Sequence, residues 1–325
     1  MKLLYIPSWF FLFLLVIGCN QNRSNKNGAK SVNDYFNRTV NVAQNVQRVI
    51  PIYYVQAEIL CAIGARKKIV GIGKISANSS VFLKTYFPEI FELPQVGQSN
   101  IDYEKIISLA PDIVFTGTEK PTVERLEQLG YSAIATYPNN LNDIMDEIVF
   151  YGNVMGNEKQ ALRIYDLFQG LVKRIKEISK NIPQNKKAKV YYIRTDALTT
   201  LGGNVQGEII DLAGGKLVTE GIGDNATSLQ MSFEDIHKYN PEVIIIRDRA
   251  FVKPEDIYND ERWKDIDAVK NKRIFQEHSG WTEFRLETIF GVIEKAKWLH
   301  PELFQDLDSE IEYKKFIEIV NGNDK

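Results

Sequence analysis

An α/β fold of two Rossmann-like lobes is what the sequence predicts, on three observations. From residue 48 onward, short apolar runs alternate with helical segments, the pattern of βαβ units around a mainly parallel sheet. A helix–proline–strand unit occurs twice, about 130 residues apart: Glu104, Ile106, Pro111, Asp112, Ile113 and Val114 recur as Glu234, Ile236, Pro241, Glu242, Val243 and Ile244 at identical spacing. A single long helical signal lies between the two copies. The 325 residues suffice for two domains, each with its own core.

In the first lobe, 47–156, strands are expected at 48–52, 69–72, 113–115 and 133–136. Helices are expected at 55–63 before Gly64, 103–109 before Pro111, 122–129 before Gly130, and 141–155 before Gly156. The long helix follows over 158–182, within a 157–183 unit. Its apolar positions Ala161, Ile164, Phe168, Leu171, Ile175, Ile178 and Ile182 form one stripe that must be buried along its length. At about 1.5 Å per residue it spans on the order of 35 Å. That suits either a crossing between domains or a long packing against one sheet. After the polar break at Pro183, the second region, 184–325, shows strands at 189–193, 243–246 and 273–276. Its helices are expected at 208–213, 233–239, 256–258 with 262–269, and 286–299, and a charged helical tail covers 305–325.

The N-terminus has a different character. Lys2 precedes an apolar run from Leu3 to Ile17, broken only at Pro7 and Ser8, too short for a comfortable membrane span and typical of a signal-peptide core. The run ends in Val16-Ile17-Gly18-Cys19 and turns at once polar, which resembles a bacterial lipobox with Cys19 as the lipidated residue. Residues 1–19 are therefore expected to be a lipoprotein signal peptide and 20–46 a flexible, solvated spacer. Cys61 lies in an apolar helical pattern and is expected to be a buried free thiol.

Composition excludes several functions. A net charge of −2 with no basic run leaves no footprint for nucleic acid. Only His237, His278 and His300 exist, too few for a zinc- or manganese-type site, so no metal ligands are assigned. No G-x-S-x-G or GxxxxGK motif occurs, no cofactor is expected, and the chain is not expected to be an enzyme.

Several motifs together resemble class III periplasmic binding proteins, the ferric-siderophore, haem and cobalamin carriers of ABC importers. They are Arg48-Val49-Ile50 with Glu58-Ile59-Leu60, Gly64 and Ile69-Val70-Gly71; Val96-Gly97 leading to Tyr103-Glu104; Pro111-Asp112-Ile113-Val114; Ser232-Phe233-Glu234; Ala268-Val269-Lys270 with Arg273-Ile274; and Leu299-His300-Pro301-Glu302. The resemblance implies that a single long connecting helix joins the lobes and that closure on ligand is small. It also implies that Glu104 and Glu234, one per lobe tip, pair with arginines on the two subunits of an ABC permease. Two separated carboxylates can steer docking without a large interface.

Ligands of open α/β sheets sit beyond the carboxyl ends of the strands. That rule selects Tyr53, Tyr54, Thr116, Gly117 and Thr118 in the first lobe. In the second it selects Arg194, Thr195, Arg247, Arg249, Glu277, His278, Trp281 and Arg285. Arginines with tyrosines and a tryptophan suit an anionic, partly aromatic ligand. A ferric siderophore or similar iron chelate fits that description, as does haem, for which Tyr53, Tyr54 or His278 could serve as axial ligand. Cobalamin carriers are rich in cleft tryptophans where this chain has Gln98, Gly117 and Ser228, which lowers cobalamin as cargo. The expectation is a monomeric, lipid-anchored, extracytoplasmic binding protein that delivers such a chelate to an ABC permease. Its rival is a surface lipoprotein that binds a protein or glycan.

Overall fold

A computed structural model describes residues 29–322 except 77, 224, 225, 227 and 283. The signal-peptide and lipidation expectations, Cys19 included, lie outside the described residues. The chain runs β1 (Ala29–Asn33), β2 (Thr39–Ala43), β3 (Val49–Pro51), α1 (Tyr54–Ala62), α2 (Val81–Tyr86), α3 (Tyr103–Leu109), β4 (Ile113–Thr116), α4 (Lys120–Gln128), β5 (Ser132–Ala135), α5 (Leu141–Met155) and α6 (Glu158–Ser179). It continues through β6 (Ala188–Ile193), β7 (Thr199–Thr200), α7 (Asn204–Leu212), β8 (Gly215–Leu217), β9 (Leu229–Gln230), α8 (Phe233–Tyr239), β10 (Val243–Ile246), α9 (Pro254–Tyr258), α10 (Asp267–Lys270), β11 (Ile274–Gln276), α11 (Thr288–Leu299) and α12 (Ser309–Val320).

Two parallel sheets, one per lobe, form the scaffold: β3-β4-β5 in the first and β11-β10-β6-β8 in the second. Every residue of β3, β4 and β10 is buried, which is why these strands read as continuous apolar runs rather than alternating ones. The expected strand at 69–72 makes only isolated bridges, Val49 to Ile69 and Ile72 to Gln95. The segment changes partners too quickly to form a ladder: the Val70 N–H donates to Val49 O, but the Ile72 N–H donates to Pro94 O.

Part of the expected spacer is folded. β1 and β2 form an antiparallel hairpin whose second strand buries Val40 and Val42 and exposes the residues between them. That period-2 signal was hidden by the polar composition around it. The buried Asp34 carboxylate pins the turn, accepting from the Phe36 and Arg38 amides and pairing with the Arg38 guanidinium, which also donates to Ala133 O. The hairpin therefore rides on the edge of the first sheet.

α6 buries Ala161, Ile164, Phe168, Leu171, Val172 and Ile175 against α5, α11 and α12, and it ends at Ser179, three residues before the expected stop at 182. The tail beyond 305 is a structural element: the Phe316 ring of α12 packs at a tilt against Phe82 of the first lobe (5.8 Å), Phe168 of α6 (5.5 Å) and Phe290 of the second lobe (5.7 Å). One aromatic cluster thus joins both lobes to the connecting helix, an arrangement that resists large hinge motion. The helix expected at 262–269 is broken in two at Ile266, whose extended backbone lets the Asp267 amide reach Asn240 Oδ1 (2.9 Å) and the Ala268 amide reach Pro241 O (3.0 Å).

Candidate ligand cleft

The carboxyl ends of β3, β4 and β5 converge on a cavity of about 390 Å³. Tyr53, Tyr54, Val55 and Gln56 follow β3; Gly117, Thr118 and Glu119 follow β4; Thr136, Tyr137 and Pro138 follow β5. Glu147 comes from α5, and Phe284 comes across from the second lobe. This is the place and the size expected of a small-molecule site in an open α/β sheet. Two larger grooves, of about 780 and 830 Å³, flank the C-terminal half of α6 and have exposed charged walls that include Arg174, Lys176 and Lys180. Neither lies at the strand ends.

Gln56 holds the floor together. Its amide donates to Thr116 O (2.9 Å) and Thr136 Oγ1 (3.1 Å), and its Oε1 accepts from the Tyr53 amide (3.1 Å), so one buried side chain links all three strand ends. Thr136 Oγ1 in turn meets the Tyr151 hydroxyl at 2.9 Å. Tyr53 donates its hydroxyl to Glu119, and burial, together with that neighbouring carboxylate, pushes the phenol well above its ordinary value, so it stays protonated. Gly117 leaves room for this ring: a Cβ there would come within 2.8 Å of both Tyr53 and Glu119. The part-buried Glu147 carboxyl is pushed up to about 8, chiefly by desolvation and then by Asp143.

Phe284 carries the only wall contribution from the second lobe among the described residues. Its φ of +62° is costly for a bulky side chain, and its ring packs 5.7 Å from Tyr137. The next residue, Arg285, is 5 % exposed and bridges the lobes. Its guanidinium donates to the Tyr54 hydroxyl (3.1 Å) and Ser79 O (3.3 Å), lies over the Tyr54 ring at 5.2 Å, and sits 3.7 Å from Glu58. Burial raises the Glu58 carboxyl, opposed by Arg285.

The structure brings Tyr53 and Tyr54 to the cavity wall with Gly117 and Thr118, and it sets Arg285 directly behind Tyr54. Other candidates lie elsewhere. Thr116 is buried, and it meets the site through its carbonyl. Arg194 and Arg247 follow β6 and β10, part-buried and outside the cavity wall. Trp281 is 2 % exposed and packs between His278 (4.3 Å), Tyr313 (5.5 Å) and Phe290 (5.7 Å), in the core rather than in the cleft. Glu277 is also buried; Lys295 Nζ lies 2.6 Å away, and Tyr192 and Gln206 donate to the same carboxylate. Among the described residues no group of three or more His, Cys, Asp or Glu side chains converges as metal ligands. Cys61 is buried and free, and burial pushes its thiol up.

Sequence reasoning missed Glu119, Thr136, Tyr137, Glu147 and Phe284. The strand-end rule would have found Thr136 and Tyr137 had it been applied to β5. Glu147, in mid-helix, and Phe284, from the other lobe, carry no local signal.

Glu104 and Glu234 occupy the second positions of α3 and α8, both seven-residue helices, and both side chains are exposed. Asp102 caps the first helix by accepting from the Lys105 amide (2.9 Å), and Ser232 caps the second by accepting from the Asp235 amide (3.1 Å).

Known proteins resemble this chain over most of its length. The Bacillus subtilis uncharacterized ABC transporter substrate-binding lipoprotein YvrC is 25% identical over 286 residues, covering 85% of this chain and 87% of its own. The molybdate-binding protein MolA of Haemophilus influenzae is 22% identical over 307 residues, covering 85% and 86%. Other matches, over shorter stretches, include a Vibrio vulnificus vitamin B12-binding protein (26% over 250 residues) and the Bacillus subtilis iron(3+)-hydroxamate-binding protein YxeB (24% over 249 residues). The crystal structure of a periplasmic solute binding protein from Veillonella parvula superposes with a TM-score of 0.78 at 25% identity, covering 89% of this chain and 92% of that one. The periplasmic binding protein family matches residues 49–279, and the chain belongs to it as a substrate-binding protein of an ABC transporter.

Proposed function

We propose that this binding protein captures a ferric siderophore or similar iron chelate between its lobes and delivers it to an ABC permease that docks through Glu104 and Glu234, while a lipid on Cys19 holds it at the membrane. One observation carries the reading of the cargo: the cavity at the strand ends is walled by Tyr53, Tyr54, Tyr137 and Phe284, with polar groups few and already oriented by one another. Such a wall suits a ligand that presents an apolar or aromatic exterior. The phenols of Tyr53 and Tyr54 are engaged by Glu119 and Arg285, which favours a metal that arrives with its own chelator. Relatives named for vitamin B12, iron(3+)-hydroxamate and molybdate give the range of cargo within which this choice falls. The lipobox-like Gly18-Cys19 and the lipoprotein YvrC support the anchor.

The test is quenching of intrinsic tyrosine and tryptophan fluorescence in the full chain in detergent, titrated with ferric siderophores, haem and cobalamin. Saturable binding of a ferric chelate at micromolar affinity or tighter, and of neither haem nor cobalamin, is the expected result. Preference for either of the latter would reassign the cargo.

A further inference from the structure

The charge of the cavity points further than its shape. We infer that the cleft discriminates by ligand charge, admitting uncharged or cationic ferric complexes and rejecting polyanionic ones; this deepens the iron-chelate reading and rests on it. The ionisable groups of the wall are the carboxyls of Glu119 and Glu147 and the phenols of Tyr53, Tyr54 and Tyr137, and no Lys or Arg lines it among the described residues. A shallower groove of about 290 Å³ shares Thr136, Tyr137 and Glu147 with the cavity and continues the same character outward. It adds Asp143 and Asp146, again with no basic residue in its wall, and its remaining acid, Asp34, is already paired with Arg38. A ligand entering from this side meets carboxylates first.

The arginines that would reverse this sign are held elsewhere. Arg285, nearest to the wall, is shielded by the Tyr54 ring and engaged with Tyr54, Ser79 and Glu58. Arg249 donates to Ser79 O (3.0 Å) and lies 3.8 Å from Asp248. Arg194 and Arg247 stand outside the wall. A polyanion would thus bring its charge against Glu119 at the wall and against Asp143 and Asp146 at the entrance without a guanidinium to receive it, while Glu147, its carboxyl raised to about 8 by burial, adds charge only at alkaline pH. A cation would gain those carboxyls and the faces of the aromatic residues.

The experiment uses one ferric trihydroxamate core in three forms, differing only at a terminal amine: free ammonium (cationic), acetylated (uncharged) and succinylated (anionic). Each is titrated into the full chain in detergent and compared with a trianionic ferric tris-catecholate. Affinity is expected to fall in the order cationic, uncharged, anionic, by about tenfold per unit of charge, with the tris-catecholate weakest. Glu119→Gln and Asp146→Asn should each compress this order at pH 7. Both residues are exposed, so failure of one variant to fold leaves the other to decide. Equal or tighter binding of the anionic forms, or an order unchanged in both variants, overturns the charge inference. Tight binding of the tris-catecholate alone overturns it while leaving the iron-chelate reading intact, and binding of none of the four overturns both.

Discussion

The two helix–proline–strand units repeat down to individual hydrogen bonds, yet the lobes that contain them do different work. In the first, Arg48 donates to the carbonyls of Leu109 and Ala110 at the end of α3, and Asp112 accepts from the amides of Gln47 and Arg48. In the second, Lys189 donates to Tyr239 O at the end of α8, and Glu242 accepts from the Lys189 amide. Each helix ends on a left-handed residue at φ +43°, Ala110 or Asn240, just before its proline. Above this shared base the lobes diverge. Among the described residues, eleven of the twelve that line the cavity come from the first lobe, and the second supplies Phe284. Their buried charges diverge as well: the second lobe balances Glu277 internally with Lys295, whereas Glu58 of the first lobe is answered from across the cleft by Arg285. The lesson is that a duplicated scaffold can specialise by placing one ion pair inside a lobe and the other between lobes.

The strongest way to break this contrast is to remove the two cations. Lys295→Met strips the partner from a fully buried carboxylate and should cost about 3–5 kcal/mol, read from urea denaturation. Arg285→Met should cost less than half of that, because its ion pair is longer (3.7 Å against 2.6 Å) and the Glu58 carboxyl is already raised by burial and readily takes a proton. It should also alter ligand affinity, which Lys295→Met variants that remain folded should not. Equal stability losses would erase the distinction between the intralobe and interlobe pairs.

A pH series probes one raised carboxyl in each lobe. Glu147 and Glu287 are each pushed up to about 8, mainly by desolvation, with Asp143 and Glu58 respectively as the next cause. The folded state therefore holds protons that the unfolded state has released. For these groups stability is fully present below the ordinary carboxyl range and falls as pH rises to about 8. The melting temperature should be lower at pH 9 than at pH 6, and Glu287→Gln and Glu147→Gln should each flatten the fall by a similar amount, since the two carboxyls are raised alike. A flat profile in the parent chain would contradict this.

The smallest effect tests the repeat itself. Asn tolerates the left-handed conformation better than Ala, so Ala110→Asn should stabilise by about 0.5–1 kcal/mol. Asn240→Ala should destabilise by more, because it also removes the Oδ1 acceptor of the Asp267 amide. Opposite signs at equivalent positions would confirm that the two turns are alike in backbone and unlike in side-chain use.

What was legible in the sequence follows from where the determinants lie. α3, α5, α8 and β10 occupy the ranges expected for them, because each is bounded by local signals: a cap, a proline or a glycine. The hairpin at Ala29–Ala43 was masked by its polar setting, and the 69–72 segment has strand composition without a partner that stays beside it. In the cleft, Tyr53 and Tyr54 were legible as strand-end residues. Trp281 was not legible as a core residue, since an aromatic beside a strand end reads the same whether it faces a ligand or the α12 tail.

The sequence alone determined the class of the fold, the duplication, the connecting helix and the strand ends at which the candidate cavity lies. All of these are encoded in periodicity and punctuation over a few residues. Only the tertiary structure decided the charge of the cavity. That depends on which side chains from distant segments meet: Glu119 with Tyr53, Glu147 with the cavity wall, and Arg285 with Glu58 behind that wall. Arginines placed near strand ends on the chain predicted a basic cleft. Folding turned the nearest of them toward carboxylates and carbonyls, because a buried guanidinium is stable only where its charge and its donors are met.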